Sequence, residues 1–238
     1  MISSQFEIIL IASVVAVACA LPGVFLVLRR MSLMSDAISH SILLGIVLAF
    51  FFVKSLASPL LLVGATLIGV LTVVLTELIV KTRKLKKDAS IGLVFPLLFS
   101  FAVILISKFA SHVHLDTDAV LLGELAFAPF DRVYYLGMDL GPQALWIMGS
   151  ILLLNMVFIL LFYKELKVAT FDPGLAASLG IAPWIVHYLL MILVSITTVG
   201  AFDAVGSILV VALMITVPAT AYLLTTRLSV MLILSAVF

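Results

Sequence analysis

Met31-Ser-Leu-Met-Ser-Asp36-Ala-Ile-Ser-His40-Ser-Ile-Leu-Leu-Gly45 sets an aspartate and a histidine four residues apart in a run that is otherwise apolar or hydroxyl-bearing, and that stays apolar as far as Val53. Four residues is one helical turn, so on a helix the two side chains stack on one face. A run of this length matches the roughly 20 residues that cross a bilayer. The rest of the chain agrees: of its 238 residues 65% are apolar and 11% charged, against roughly 25% charged in a soluble domain. The expected fold is therefore all-α, a polytopic transmembrane helix bundle forming a single domain over residues 1–238.

Working outward from that stretch, charged or Pro/Gly-rich breaks separate eight hydrophobic segments, at about 6–28, 34–53, 59–80, 90–107, 144–163, 184–201, 206–224 and from 229 on. The eighth is incomplete, since ten residues rise only about 15 Å, half a hydrocarbon core, and we expect the chain to continue or its end to be unseen. Ala18-Cys19-Ala20 has the look of a leader-peptidase site, but Glu7 and the absence of Lys or Arg at the start argue against cleavage. Counting from the anchor Arg29-Arg30, the residues Arg29, Arg30, Lys81, Arg83, Lys84, Lys86, Lys87, Lys164, Lys167 and Arg227 fall on one side, and only Lys54, Lys108 and Arg132 on the other. The positive-inside rule then puts the amino terminus outside, residues 107–141 outside and residues 164–183 in the cytoplasm. Pro22, Pro96 and Pro218 interrupt hydrogen bonding within spans, and small-residue stretches at 207–212 and 219–221 suit close helix contact. Such irregularity fits a translocator better than a plain anchor.

Several chemistries are excluded early. A net charge of +1 with dispersed Lys and Arg offers no grip on nucleic acid. One cysteine, Cys19, forms no internal disulfide and no thiolate cluster. Any metal would be held by His, Asp, Glu or backbone oxygen. With the hydrocarbon starting near Met31, His40 lies about 13 Å deep, and ionisable groups at that depth mark ion or substrate paths. Imidazole plus carboxylate suits Mn, Zn or Fe; two ligands, rather than the four of a closed structural zinc site, suit an ion that must be released. The competing reading is a pair that merely satisfies itself. Ser32, Ser35, Ser39 and Ser41 are candidates to line the same path, Glu77 is expected to snorkel toward Lys81, His187 and Glu7 are expected at interfaces, and Asp203, at the outer end of the sixth segment, is either a turn or gate residue or simply solvated.

Two loops carry further signals. His112-Val-His114-Leu-Asp116-Thr-Asp118 alternates strictly, so an extended strand would turn all four polar side chains one way; it is either a comb that passes a divalent cation or contacts a binding protein, or a solvated acidic loop. The apolar stretch Leu125 to Phe130 is too short to span. In the other loop Asp172 suits an N-cap, Pro173 the first helical position and Gly180 the C-terminal cap, while Pro183 bars continuation. A helix of about two turns is expected, its compact face from Leu175 to Leu179, including Ala177, fit for a partner's groove. A connector lying on the membrane is the alternative.

Arg30-Met-Ser-Leu-Met-Ser-Asp-Ala-Ile-Ser-His40 resembles the signature of the membrane permeases of bacterial manganese, zinc and iron ABC importers, the ABC-3 metal permeases. His114 to Glu124 is similar to the outer loop of the manganese and chelated-iron branch, Phe171 to Gly180 to the cytoplasmic coupling segment, and Val205 to Ala221 to the late transmembrane signature. The resemblance implies a fold similar to the vitamin B12-type importers. It also implies a permease dimer, homo- or heteromeric, in the bacterial plasma membrane. A cytoplasmic ATP-binding subunit and an external metal-binding protein would be its partners, Asp36 and His40 would line the metal path, and coupling would run through Phe171, Asp172, Pro173, Ala177 and Gly180. The chain has no G-x-x-x-x-G-K-[ST] motif, so on this reading it is not itself an enzyme and another subunit hydrolyses ATP. No permanent cofactor is implied; the metal, with Mn favoured by the outer loop, is cargo. Asp203 stands where an uncharged residue is expected, and relatives generally continue past this terminus. An ion-coupled secondary metal transporter would share the buried pair. An intramembrane metallohydrolase would need an HExxH-like motif, which is absent.

Overall fold

The computed structural model describes residues 4–53, 60–109, 128–129, 131–135 and 138–238. They build helices α1 (Ser4–Leu28), α2 (Ser32–Val53), α3 (Leu60–Lys81) and α4 (Lys87–Phe109), strands β1 (Arg132–Tyr135) and β2 (Met138–Pro142), then helices α5 (Gln143–Leu161), α6 (Tyr163–Phe171), α7 (Pro173–Ser178), α8 (Pro183–Leu224) and α9 (Leu228–Val237). Six of the helices, α1 to α5 and α8, are long and apolar enough to cross a membrane.

The eight expected segments are recovered with one change of description. The sixth and seventh are joined in α8, whose 42 residues are interrupted at Gly206, with φ 76° and ψ 167°, a backbone region that only glycine enters readily. A straight helix would hold Thr198 and Met214 about 24 Å apart, yet the Thr198 hydroxyl lies 3.9 Å from Met214 Sδ. The chain therefore doubles back at Gly206. Each half, 183–205 and 207–224, then measures about 27–35 Å, close to the hydrocarbon thickness of roughly 30 Å. The eighth segment is α9, with 10 residues.

Helix α1 is the hub. It packs on both α8 and α5, and α9 also lies against it, while α2 packs on α3, α4 and α8. Because α1 is apolar on every side it can be enclosed: Ile11, Val15, Ala18, Val24, Phe25 and Leu26 are fully buried. Several polar groups inside the bundle pair across helices, though the buried hydroxyls of Thr76 and Ser235 do not. Asn155 of α5 donates to Ala18 O at 2.8 Å and to Thr197 Oγ1 at 2.9 Å, tying α5 to α1 and α8.

A small antiparallel hairpin, β1 with β2, breaks the all-helical pattern, with Tyr134 opposite Asp139 and Tyr135 opposite Met138. The sequence reading took this region only as a polar outer stretch. Its local signal was Val133-Tyr-Tyr135, residues that favour strands, followed by Gly141 at φ 93°. Of the apolar stretch Leu125 to Phe130, only Ala128 and Pro129 fall among the described residues, and they form a turn.

The α2–α3 crossing positions the Asp36-bearing helix, and it is made by glycine. A Cβ on Gly45 would lie 2.4 Å from Gly64 O and 2.6 Å from Ala65 Cα, whereas a Cβ on Gly92 would meet nothing within 4 Å. Gly45→Ala is therefore expected to lower thermal stability of the purified protein by about 1–3 kcal/mol, the range for overpacking, while Gly92→Ala leaves it unchanged or slightly raised. Melting both variants in the same detergent checks the contrast.

Candidate functional site

Helix α2 starts directly after a tight reversal. Met31 N donates to Leu26 O at 2.8 Å and Arg30 N to Val27 O at 3.0 Å, the pair of bonds that closes a helix through a left-handed residue, here Arg30 with φ 54°. From that corner the core face of α2 carries Met34, Ser35, Ala37, Ile38, Ser41, Ile42 and Gly45, all buried. The opposite stripe, Ser32, Asp36, His40, Leu43 and Phe50, is only partly covered.

Asp36 Oδ1 and His40 Nε2 stand 3.4 Å apart, with side chains 39% and 33% exposed in the single chain. The His40 ring is steadied by α4, its centroid 5.8 Å from Phe95 and 6.4 Å from Phe99, the latter edge-on. The pair is thus held together and left open on one side. Among the described residues no third His, Cys, Asp or Glu gathers into a metal-binding cluster.

The serines divide differently from expectation. Ser35, Ser39 and Ser41 are buried and turned into the bundle: Ser39 donates to Ser35 O at 3.0 Å, Ser41 to Ile38 O at 3.1 Å, and Ser35 reaches Met214 Sδ at 3.2 Å. They serve packing, because positions 35 and 41 point away from the stripe that 36 and 40 occupy. Only Ser32 remains on the open side. His112, His114 and Asp116 lie outside the described residues.

The Phe171–Gly180 segment forms as its residues foretell. Asp172 Oδ1 accepts from Leu175 N at 2.9 Å, and Pro173 occupies the first position of α7. Gly180, with φ 79°, closes the helix, Gly180 N donating to Ala177 O and Ile181 N to Ala176 O. The helix has 6 residues rather than two full turns, since both caps fall inside the expected span. Ala176 is buried, while Phe171, Leu175 and Leu179 are 58%, 49% and 62% exposed and Ala177 is exposed beside them. Four apolar side chains at one short corner give it a face that no element among the described residues covers.

Two expectations about isolated polar residues are corrected. Glu77 does not simply snorkel toward Lys81: its carboxylate contacts His187 Nε2 and lies beside the Tyr188 side chain. Glu7 is not merely interfacial, because Arg132 Nη2 clamps both its oxygens at 2.8 and 2.9 Å, fastening the start of α1 to the hairpin. Asp203, near the Gly206 reversal, sits in the field of Asp131 at that same end. Sequence reasoning passed over Asn155 and the bond from Arg29 to Thr170. The first had a signal, an amide within an apolar span; the second had none, since its partners are 141 positions apart.

A family model described as the ABC 3 transport family matches residues 1–238. The chain is 58% identical over 88% of its length to the zinc transport system membrane protein TroD of Treponema pallidum, covering 57% of that protein. It is 48% identical over 98% of its length to the manganese transport system membrane protein MntD of Bacillus subtilis, covering 79% of it. The chain thus spans a little over half of the treponemal relative. Among solved structures, PsaBC from Streptococcus pneumoniae in complex with Fab is similar with a TM-score of 0.78 and 30% identity, covering 100% of this chain and 79% of that one. A multi-pass helical membrane protein with this match along its whole length is a member of the ABC 3 transport family.

Proposed function

We propose that the chain is the permease subunit of an ATP-driven importer that carries divalent transition-metal ions, manganese in preference to zinc or iron, into the cell by alternating access. The observation that carries the reading is the half-open Asp36–His40 pair on a helix long enough to span. A carboxylate and an imidazole at that depth are costly against lipid, so the open side faces another subunit or a water-filled path. A second permease subunit satisfies this requirement: two copies meeting at the stripe would offer two imidazoles and two carboxylates, enough to strip part of an ion's hydration shell yet let it go. Transport by relatives named for zinc and manganese is consistent with such an N/O ligand set, which holds both metals.

The remaining parts follow from the two ends of the bundle. Arg29, Arg30, Lys81, Arg83, Lys84, Lys86, Lys87, Lys164, Lys167 and Arg227 gather at or next to the turns that join α1 to α2, α3 to α4, α5 to α8 and α8 to α9. In the plasma membrane that end faces the cytoplasm, with the amino terminus outside. The exposed corner of Phe171, Asp172, Pro173, Ala177 and Gly180 is then the docking point for a cytoplasmic ATP-binding subunit, which supplies the hydrolysis. On the outer side His112, His114 and Asp116 receive the metal from an external binding protein.

His40→Ala and Asp36→Ala are each expected to reduce metal uptake by at least about tenfold, no less than the loss of an outer-shell metal partner typically costs, while insertion and assembly persist. Uptake of buffered Mn, Zn and Fe in competition by the assembled importer measures this, and also ranks the metals; normal uptake by both variants overturns the path assignment. Ala177→Glu is expected to weaken binding of the ATP-binding subunit by roughly a hundredfold, because a carboxylate buried without a partner costs several kcal/mol. Co-purification of that subunit with each permease variant reads the effect, and unchanged recovery places the contact elsewhere.

A further inference from the structure

Four elements meet through one chain of polar contacts at the basic end of the bundle. Arg29, in the α1–α2 turn, donates from Nε to Thr170 Oγ1 of α6 at 3.1 Å, and its Nη1 stands 3.2 Å from His187 Nδ1 of α8. The other ring nitrogen, Nε2, contacts the Glu77 carboxylate of α3. The direction of these bonds is fixed by chemistry. A guanidinium has only donors, and although burial pushes Arg29 down to about 10 it stays charged at neutral pH. Nδ1 of His187 must therefore accept, and its proton resides on Nε2, the atom that faces the Glu77 carboxylate. One tautomer of one histidine joins α8 to both α1 and α3.

Each end of this chain is attached to a part with a role. Thr170 immediately precedes Phe171 and Asp172 at the exposed corner. Arg29 sits in the two-bond reversal that launches α2, seven residues before Asp36, and that reversal is held in a left-handed conformation at Arg30. A displacement of the corner is thus passed to the first turn of α2 through short, directed bonds instead of being absorbed by a free side chain. Tyr188, Lys81 and Lys87 lie around the Glu77 carboxylate at this end of the chain of contacts.

We infer that Arg29, His187 and Glu77 form a positioning relay that ties movement of the Phe171–Gly180 corner to the helix carrying Asp36 and His40. The inference rests on the permease reading above. None of the three touches the transported ion; they act by holding α1, α3, α6 and α8 in register while the partner subunit moves the corner.

The test uses the assembled importer, with its ATP-binding subunit and external binding protein, in proteoliposomes, measuring Mn²⁺ uptake and ATP hydrolysis in the same vesicles. His187→Ala is expected to lower Mn²⁺ taken up per ATP hydrolysed by about threefold to thirtyfold, the range for mutations that alter coupling between sites. Co-purification of the ATP-binding subunit and the KM for Mn²⁺ should hold. His187→Gln keeps a carbonyl to accept from Arg29 and an amide to donate to Glu77, and should recover most of the loss. Wild-type yield in His187→Ala, or equal damage in His187→Ala and His187→Gln, overturns the relay, the second result assigning the effect to ring volume. Should His187→Ala fail to accumulate, the isosteric Thr170→Val breaks the other end, and an unchanged uptake-to-ATP ratio there overturns the relay equally. A wild-type complex that takes up neither Mn²⁺ nor Zn²⁺ nor Fe²⁺ refutes the permease reading itself, and the relay with it.

Discussion

Hydrocarbon offers no hydrogen bonds, and this constraint governs where most polar side chains of the described helices have gone. Backbone groups are satisfied within helices. Many side chains that enter the bundle find protein partners: Asn155 takes Ala18 O and Thr197, Ser195 donates to Thr66 O at 3.1 Å, and Thr72 reaches Ser41 at 2.7 Å. These contacts also join helices that would otherwise have little reason to choose one another, since lipid tails are as apolar as the leucines they meet. Against that background Asp36 and His40 stand out. They are the ionisable pair on α2, they contact each other, and they still present an open side.

The same constraint explains the irregular backbone. A largely apolar helix of 42 residues would be about 63 Å long, twice what a membrane accommodates, and it reverses at Gly206, where the missing Cβ allows the required φ. The reversal brings Met214 beside Thr198 and Ser35, so its thioether is enclosed by hydroxyls from two other helical stretches. Close packing at Gly45 and Gly64 then fixes α2 against α3. The open pair therefore sits on a helix whose neighbours leave it little room to rotate.

What could be read in the sequence was what local chemistry decides. Segment lengths followed from uninterrupted apolar runs, and the α7 caps followed from Asp172, Pro173 and Gly180, all within nine residues. The Asp36–His40 contact followed from helical spacing alone. Long-range pairings were not legible: Glu77 with His187, Arg29 with Thr170 and Glu7 with Arg132 depend on which helices lie side by side, and apolar helices carry few marks of their neighbours. The serines of α2 were misassigned for a related reason, because sorting them between path and core requires knowing which face α8 covers. The hairpin lay hidden in a polar stretch whose strand-forming residues, Val133 to Tyr135, are few.

Coordination of the cargo metal tests the account most directly. Mn²⁺ bound to the assembled permease dimer, freed of the external binding protein, can be studied by pulsed electron paramagnetic resonance, which reports nitrogen nuclei bonded to the ion. The account predicts imidazole nitrogen coupling, with one Mn²⁺ per two permease chains, and its disappearance in His40→Ala. A bound ion with oxygen ligands only, or nitrogen coupling that survives His40→Ala, would contradict the assignment of the Asp36–His40 face as the metal path.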